Sequence, residues 1–112
     1  MNQVLEQEVN QLHAEFCAGL ADPKRILILY SLWEGSKNVT ELATSLRMSQ
    51  PAVSRHLKML RDRGMVTATR LGSSVEYRLG DPRLIEALDL LRAALRDHLS
   101  HRAELAGVLN EE

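Results

Sequence analysis

Cysteine and aromatic residues are scarce in this chain of 112 residues. The single cysteine, Cys17, has no partner for an internal disulfide, which is usual for proteins of a reducing compartment. Aromatic residues make up 4% of the sequence, so there are few rings on which single-stranded nucleic acids could stack. These two absences favour a cytoplasmic protein and disfavour RNA as its ligand.

Long apolar runs and the common catalytic motifs are also missing. No stretch of about 18 apolar residues is available to span a membrane, and the opening segment MNQVLEQEVNQL does not resemble a signal peptide. The sequence contains no Gly-rich phosphate loop, no G-x-S-x-G and no H-E-x-x-H. We therefore expect a cytoplasmic protein that binds no membrane and is not an enzyme.

The charges that are present are divided unevenly along the chain. Residues 47–78 hold seven basic and two acidic residues, a net charge of +5. Residues 1–46 hold three basic and six acidic residues, and residues 79–112 hold four basic and seven acidic residues, so each flank carries a net charge of −3. Basic residues bind duplex DNA by displacing counterions from its phosphates, and acidic flanks keep other surfaces off the duplex. The central block favours DNA binding, with a solvated surface of mixed charge as the alternative.

Apolar residues recur at helical spacing near both ends of the chain. The first stripe lies within residues 3–18 and consists of Leu5, Val9, Leu12 and Phe16; the second follows Asp81-Pro82 and consists of Leu84, Leu88, Leu91, Leu95 and Leu99. A domain of this size buries only about two-thirds of its unfolded surface. We therefore expect the terminal helices, residues 1–20 and 81–109, to form a homodimer interface, unless both stripes pack within one subunit.

Between the terminal helices the pattern predicts three more helices and a hairpin. Asp22-Pro23 is a typical helix start, and the apolar run to about Glu34 favours a buried helix, although its ILILY segment is also compatible with a strand. Residues 39–63 indicate a short helix, a turn and a second helix, and residues 65–79 indicate a hairpin with a Gly-Ser turn. The predicted fold is one domain, residues 1–112, mainly α with a small β-hairpin (α+β), in the order α-α-α-α-β-β-α.

The two helices of residues 39–63 have the helix-turn-helix arrangement, in which the first braces the second in the major groove. Ser49 would cap the second helix and Gly64 would end it, with Val53, Leu57 and Leu60 facing inward. Residues early in such a helix usually meet base edges, and later ones suit phosphates. The predicted DNA-binding residues are Ser49, Gln50, Ser54, Arg55, Lys58 and Arg61, with Arg70, Ser73 and Ser74 at the hairpin tip.

The segment SQPAVSRHLKMLRDRGMV resembles the recognition helix and following strand of the ArsR/SmtB winged helix-turn-helix repressors. The segment GLADPKRILILYSLWEGSKNVTELATSLRMS resembles the same family, and the resemblance covers about residues 16–79. It implies a transcriptional regulator that dimerises through its first and last helices, binds an inverted-repeat operator and releases it on an inducing event. The alternative is a winged-helix module for protein–protein contact, which would not need the outward basic residues.

Members of this family commonly sense metals, and this sequence departs from both usual sites. The resemblance places a Cys-x-Cys near the start of the helix at residues 39–46, where the chain has no thiolate, and of four ligands on the last helix it retains only Asp81. Leftover candidates for a transition-metal site are His13 and Cys17 on the first helix and Asp97, His98 and His101 on the last. No cofactor is firmly predicted.

Two further residues carry open interpretations. The only thiol, Cys17, is a candidate redox sensor or simply a small buried residue. His56, close to the inner stripe of the second helix, is expected to pack against the hairpin, with a phosphate contact as the alternative. The inducer and the operator are not identified by the sequence.

Overall fold

The computed structural model describes residues 2–111, and the side chains through Gly107. Its elements are α1 (Gln3–Leu12) with a π-helical turn (His13–Cys17), α2 (Pro23–Trp33), α3 (Val39–Leu46), α4 (Gln50–Asp62), β1 (Val66–Leu71), β2 (Ser74–Leu79) and α5 (Arg83–Glu111). The predicted order of four helices, two strands and a last helix is confirmed. The chain divides into two compact units, Met1–Pro82 and Arg83–Glu112.

The second helix begins where its cap predicts. The Asp22 carboxylate accepts a 2.8 Å hydrogen bond from the backbone N–H of Lys24, and Pro23 occupies the first turn, where its missing N–H costs nothing. Ile28 and Leu29 are fully buried, so the apolar run forms one side of a core helix. The strand alternative for ILILY is therefore wrong.

Local hydrogen bonds also fix the two helices of the helix-turn-helix. Asn38 and Glu41 form a capping box at the start of α3, with side chain-to-backbone bonds of 2.8 and 3.1 Å. Arg47 ends α3 in the left-handed conformation, at a φ of 54°. The Ser49 hydroxyl then accepts a hydrogen bond of 3.2 Å from the backbone N–H of Ala52 and starts α4. The turn between the helices thus begins with the left-handed conformation of Arg47 and ends with the Ser49 cap.

The wing is a tight antiparallel hairpin in which all residues of Val66–Leu71 pair with Ser74–Leu79. Gly72 has a φ of 64°, which glycine adopts without steric cost, so a two-residue loop closes the strands. An isolated antiparallel bridge joins Lys37 to Tyr77, through two backbone hydrogen bonds of 3.0 and 2.8 Å. The segment before α3 is therefore tied to the wing, a connection that the sequence pattern did not predict.

The end of the first helical segment lies against the start of the wing. A Cβ atom on Gly19 would lie 2.5 Å from the Sδ atom of Met65, closer than atoms can approach, and Met65 is itself fully buried. Glycine at this position therefore permits a close contact between the two segments. The helical start of the chain is in this way fastened to the helix-turn-helix unit.

The first helix differs from the uninterrupted α-helix predicted for residues 3–18. The α-helical hydrogen bonding is interrupted after Leu12, where His13–Cys17 form a π-helical turn, in which bonds close a wider ring, before Ala18 and Gly19 end the helix. The angular spacing of side chains changes there, so the apolar stripe is regular only as far as Leu12. The last helix begins at Arg83 rather than at Asp81.

The apolar stripes of the terminal helices are only partly covered. Leu5, Val9 and Leu12 are exposed, the last at 50%, and α1 has no buried residue. On α5, Leu84 and Leu88 are buried, whereas its later members, Leu91, Leu95 and Leu99, are exposed. The alternative in which both stripes pack within one subunit stays a prediction. No helix in the described part of the chain is both long and apolar enough to cross a membrane.

Candidate nucleic-acid interface

The recognition helix α4 has one buried side and one exposed side, as predicted. Val53, Leu57 and Leu60 are fully buried and hold the helix against the core. The residues predicted on the opposite side and flank are all exposed: Gln50, Ser54, Arg55, Lys58 and Arg61. Four- and three-residue spacing of the buried side chains therefore leaves a continuous polar surface, with three cations, open to a ligand.

The start of α4 is organised by its two first predicted residues. Ser49 is exposed, but its hydroxyl oxygen is engaged as the helix cap, so its role in the free protein is to start the helix. The Gln50 amide nitrogen lies 3.5 Å from the Thr40 hydroxyl on α3, a contact at the limit of hydrogen bonding. This contact links the outer side of α4 to the bracing helix and leaves the amide at the surface.

The three cations on α4 differ in their surroundings. The Lys58 ammonium lies 2.9 Å from the Asp62 carboxylate, an exposed pair one turn apart. A phosphate that binds Lys58 must compete with this carboxylate. Arg55, nearer the start of the helix, lies on the exposed side without burial, and Arg61 lies beyond Lys58.

The wing places its predicted residues on two different faces. Side chains alternate along a strand, and residues opposite each other in the register share a face. Arg70 lies opposite Val75, whereas Ser74 lies opposite Leu71 on the other face. Ser73 is exposed in the loop itself, and Ser74 is half-buried. One face of the wing therefore cannot present Arg70 and Ser74 together, although both stand at its tip.

The sequence pattern did not indicate that Arg25, a cation on α2, lies beside His56 of α4. His56 is half-buried, and its Nδ1 atom lies 3.4 Å from a terminal nitrogen of Arg25, on α2. Burial is the main cause that lowers the pKa of His56; the cations Arg25, Lys24 and Arg55 lower it further, and Asp22 opposes them. The packing interpretation of His56 is supported by its burial, and the partner seen is α2. The Asp22 cap predicts where α2 starts, but no pattern in the sequence predicts its contact with α4.

The family is decided by similarity to known proteins. The model for the bacterial regulatory protein, arsR family, matches residues 22–68. A probable mercury resistance operon repressor of Streptomyces lividans is 38% identical over 85 residues, which cover 76% of this chain and 68% of that protein. The chain belongs to the ArsR family. It is a regulatory protein and not an enzyme, as the sequence predicted.

Two further ArsR-family comparisons agree with the fold. The HTH-type transcriptional repressor SmtB of Mycobacterium tuberculosis is 42% identical over 78 residues, covering 70% of this chain and 58% of that protein. The homodimeric winged helix-turn-helix DNA-binding domain of Mb0332 from Mycobacterium bovis has a TM-score of 0.76 at 27% identity, covering 90% of this chain and 93% of that one. The predicted winged helix-turn-helix class is confirmed. The chain spans little more than half the length of the SmtB relative.

The candidate metal ligands of this ArsR-family chain do not assemble within the described residues. No group of three or more His, Cys, Asp or Glu side chains there is placed to hold a metal ion. His13 and Cys17 lie at the two ends of the π-helical turn, where the α-helical spacing that placed them on one face does not apply, and both are exposed. Asp97, His98 and His101 are exposed on α5. The described residues of one subunit thus hold no such cluster, and a metal site shared between subunits stays a prediction.

The redox role of Cys17 also stays a prediction. The thiol is exposed, so the alternative of a small buried residue does not describe it in a single subunit. Exposure makes it accessible to an oxidant, but accessibility alone does not make a thiol reactive. Among the described residues it is the only thiol, so a disulfide would have to form with a second subunit or with a small thiol.

Proposed function

We propose that this ArsR-family chain is a cytoplasmic, homodimeric, sequence-specific transcriptional repressor that binds an inverted-repeat DNA operator and is released by an inducer. The observation that carries the proposal is the exposed cationic side of α4, where Arg55, Lys58 and Arg61 stand opposite a fully buried apolar side. A helix braced in this way fits the major groove, and its cations suit the phosphates beside it. The names of the relatives, which include two repressors, support the same function.

The residues have distinct roles in this proposal. Gln50, Ser54 and Arg55, in the first turns of α4, read base edges, and Lys58 and Arg61 bind phosphates. On the wing, Arg70 and Ser73 contact the neighbouring backbone or groove, and Ser74 contributes only if its face of the hairpin approaches the duplex. Ser49 acts through the cap that orients α4.

The exposed leucines of the terminal helices support the homodimer. Apolar surface left open in a small regulator usually marks an interaction site. A second copy, related by two-fold symmetry, would cover Leu5, Val9 and Leu12 of α1 and Leu91, Leu95 and Leu99 of α5. Two-fold symmetry of the protein then requires two half-sites in the operator, arranged as an inverted repeat.

Selection of bound duplexes from a random-sequence library tests the proposal. We expect enrichment of an inverted repeat, and an affinity for the selected duplex that falls steeply between about 50 and about 200 mM salt, because bound phosphates release counterions. The triple variant Arg55→Ala, Lys58→Ala, Arg61→Ala serves as the control and should select nothing. A salt dependence near zero with no enriched sequence would instead favour the protein–protein module.

A further inference from the structure

One largely buried arginine, Arg25, joins the end of the first helix to the recognition helix. The Arg25 Nε atom donates a 2.7 Å hydrogen bond to the carbonyl of Gly19, and one terminal nitrogen donates to the carbonyl of Ala18 at 3.2 Å. Its other terminal nitrogen lies 3.4 Å from His56 Nδ1 on α4 and 3.8 Å from the Asp22 carboxylate. The Arg25 side chain is only 11% exposed. A single guanidinium thus contacts three segments of the fold.

The shape of the guanidinium makes this contact directional. Its donors lie in one rigid plane, so two carbonyls held on one edge determine where the third group points. The carbonyls of Ala18 and Gly19 follow directly after the π-helical turn and end the first helix. The remaining terminal nitrogen of Arg25 faces His56 on α4. His56 is half-buried, and the residue before it, Arg55, lies on the exposed side of the helix. A displacement of the first helix would therefore move the anchor of the recognition helix.

We propose that Arg25 is a positioning residue that transmits the placement of the first helix to the recognition helix through His56, and so sets the affinity for the operator. The inference rests on the proposed function, because it assumes that α4 binds DNA. It adds a link between the proposed dimer helix and the DNA-binding helix within one subunit. The inducer need not touch α4 for such a link to change its orientation.

The link requires a neutral imidazole on His56. Nδ1 can accept a hydrogen bond from Arg25 only while it carries no proton. The charged groups that act on this ring are Asp22, Lys24 and Arg25 at the start of α2 and Arg55 on α4. Burial and the three cations keep the pKa of His56 below its ordinary value, so the ring is neutral at neutral pH. Protonation would place two cations side by side and break the link.

The first test replaces Arg25 by lysine, which keeps the charge but loses the planar set of donors. Binding is measured to the duplex that the wild-type protein selects from a random library. We expect Arg25→Lys to bind the duplex about tenfold more weakly, a change of affinity that is typical when one site acts on another. Sedimentation and the melting temperature should show that the variant is still a folded dimer. Arg102→Lys, at an exposed position of α5, is the matched control and should bind as the wild type does.

The second test is the pH profile of the same binding, which a merely structural arginine would not alter. We expect the wild type to bind more weakly at about pH 5.5 than at about pH 7.5, because protonated His56 releases Arg25. His56→Gln keeps an acceptor that does not titrate, so it should bind well at both pH values and flatten the profile.

The outcomes separate this inference from the function on which it rests. Wild-type protein that selects no duplex overturns the proposed function and the inference with it. Selective binding by the wild type together with unchanged affinity of a folded Arg25→Lys variant overturns the inference alone. A gain of affinity on acidification that His56→Gln abolishes does the same, because it would show that His56 binds a phosphate.

Discussion

At the scale of single residues, neighbours on one helix face have different prospects as DNA contacts. Arg55 lies early in α4, where side chains reach base edges, and its guanidinium has the donors for a bidentate contact with guanine. Lys58 lies about one turn further along α4, toward its C-terminal end, and is paired with Asp62 at 2.9 Å. Their positions in the helix already predict a base contact for Arg55 and a phosphate contact for Lys58, but nothing in the sequence pattern predicts the ion pair with Asp62. The pairing gives Lys58 a competing partner that a phosphate must displace.

Arg55→Ala and Lys58→Ala should therefore weaken operator binding differently. We expect Arg55→Ala to cost about 1–3 kcal/mol and to relax the preference at one base pair. Lys58→Ala should weaken binding evenly across sequences and lower the salt slope by about one unit. Affinities of both variants for a set of single-base operator variants, at several salt concentrations, provide the comparison. An even loss for Arg55→Ala would reassign it to a phosphate.

The pKa of His56 predicts an acid-sensitive stability. Burial first, and then Arg25, Lys24 and Arg55, lower the pKa of His56 in the folded chain, whereas an unfolded histidine titrates at about 6.5. Below about pH 6.5 the unfolded state binds more protons than the folded state does. The contribution of neutral His56 to the free energy of unfolding is therefore complete above about pH 6.5 and is lost as the pH falls toward the folded-state pKa.

Urea unfolding at about pH 7.5 and at about pH 5.5 measures this effect. We expect the free energy of unfolding of the wild type to fall on acidification, and to fall less in His56→Gln. Equal acid sensitivity of His56→Gln and the wild type would mean that other groups cause it.

At the scale of elements, the helices begin where capping side chains are found and the hairpin turns where glycine permits it. The Asp22 and Ser49 caps and the left-handed Gly64, at a φ of 72°, were all expected from the sequence. A capping hydrogen bond joins a side chain to a backbone N–H only two or three residues away, so the sequence is enough to predict it. The bridge from Lys37 to Tyr77 joins residues far apart in the chain, and no local pattern predicts it.

Removal of the Ser49 cap should destabilise the recognition helix. Ser49→Ala deprives the Ala52 N–H of its 3.2 Å acceptor, and such a loss typically costs about 1 kcal/mol. Thermal unfolding of Ser49→Ala beside Ser54→Ala measures it, because Ser54 is an exposed serine of the same helix with no capping position. Only Ser49→Ala should lower the melting temperature. If the two variants melt together, the cap does not stabilise α4 in solution.

At the scale of the whole molecule, a single subunit leaves too much apolar surface on its terminal helices. α1 has no buried residue, and three leucines in the middle of α5 are exposed. The proposed homodimer accounts for this apolar surface, because an interface between two copies would remove it from water. The leucines proposed for that interface all lie outside residues 47–78, the central positive block.

Leu91→Glu should dissociate the proposed dimer. The change places a charge on a leucine that is 63% exposed in one subunit and that a partner would bury, which is costly without an opposite charge. Sedimentation should show a monomer with much weaker operator binding. Leu27→Glu is the matched control, because Leu27 is 53% exposed on α2, outside the terminal helices. A dimeric Leu91→Glu protein would show that the interface lies elsewhere.

The sequence by itself determined the starts of α2 and α4, the hairpin, the buried side of α4 and the positive central block. Each of these depends on residues within a turn or two of one another, or on composition alone. Only the tertiary structure decided that the first helix widens into a π-helical turn, that Arg70 and Ser74 occupy opposite faces of the wing, and that Arg25 meets His56. Arg25 and His56 stand 31 positions apart, and their contact depends on the path of the whole chain between them. Periodicity and charge record which side of a helix is buried, but they carry no information about which distant side chain it meets.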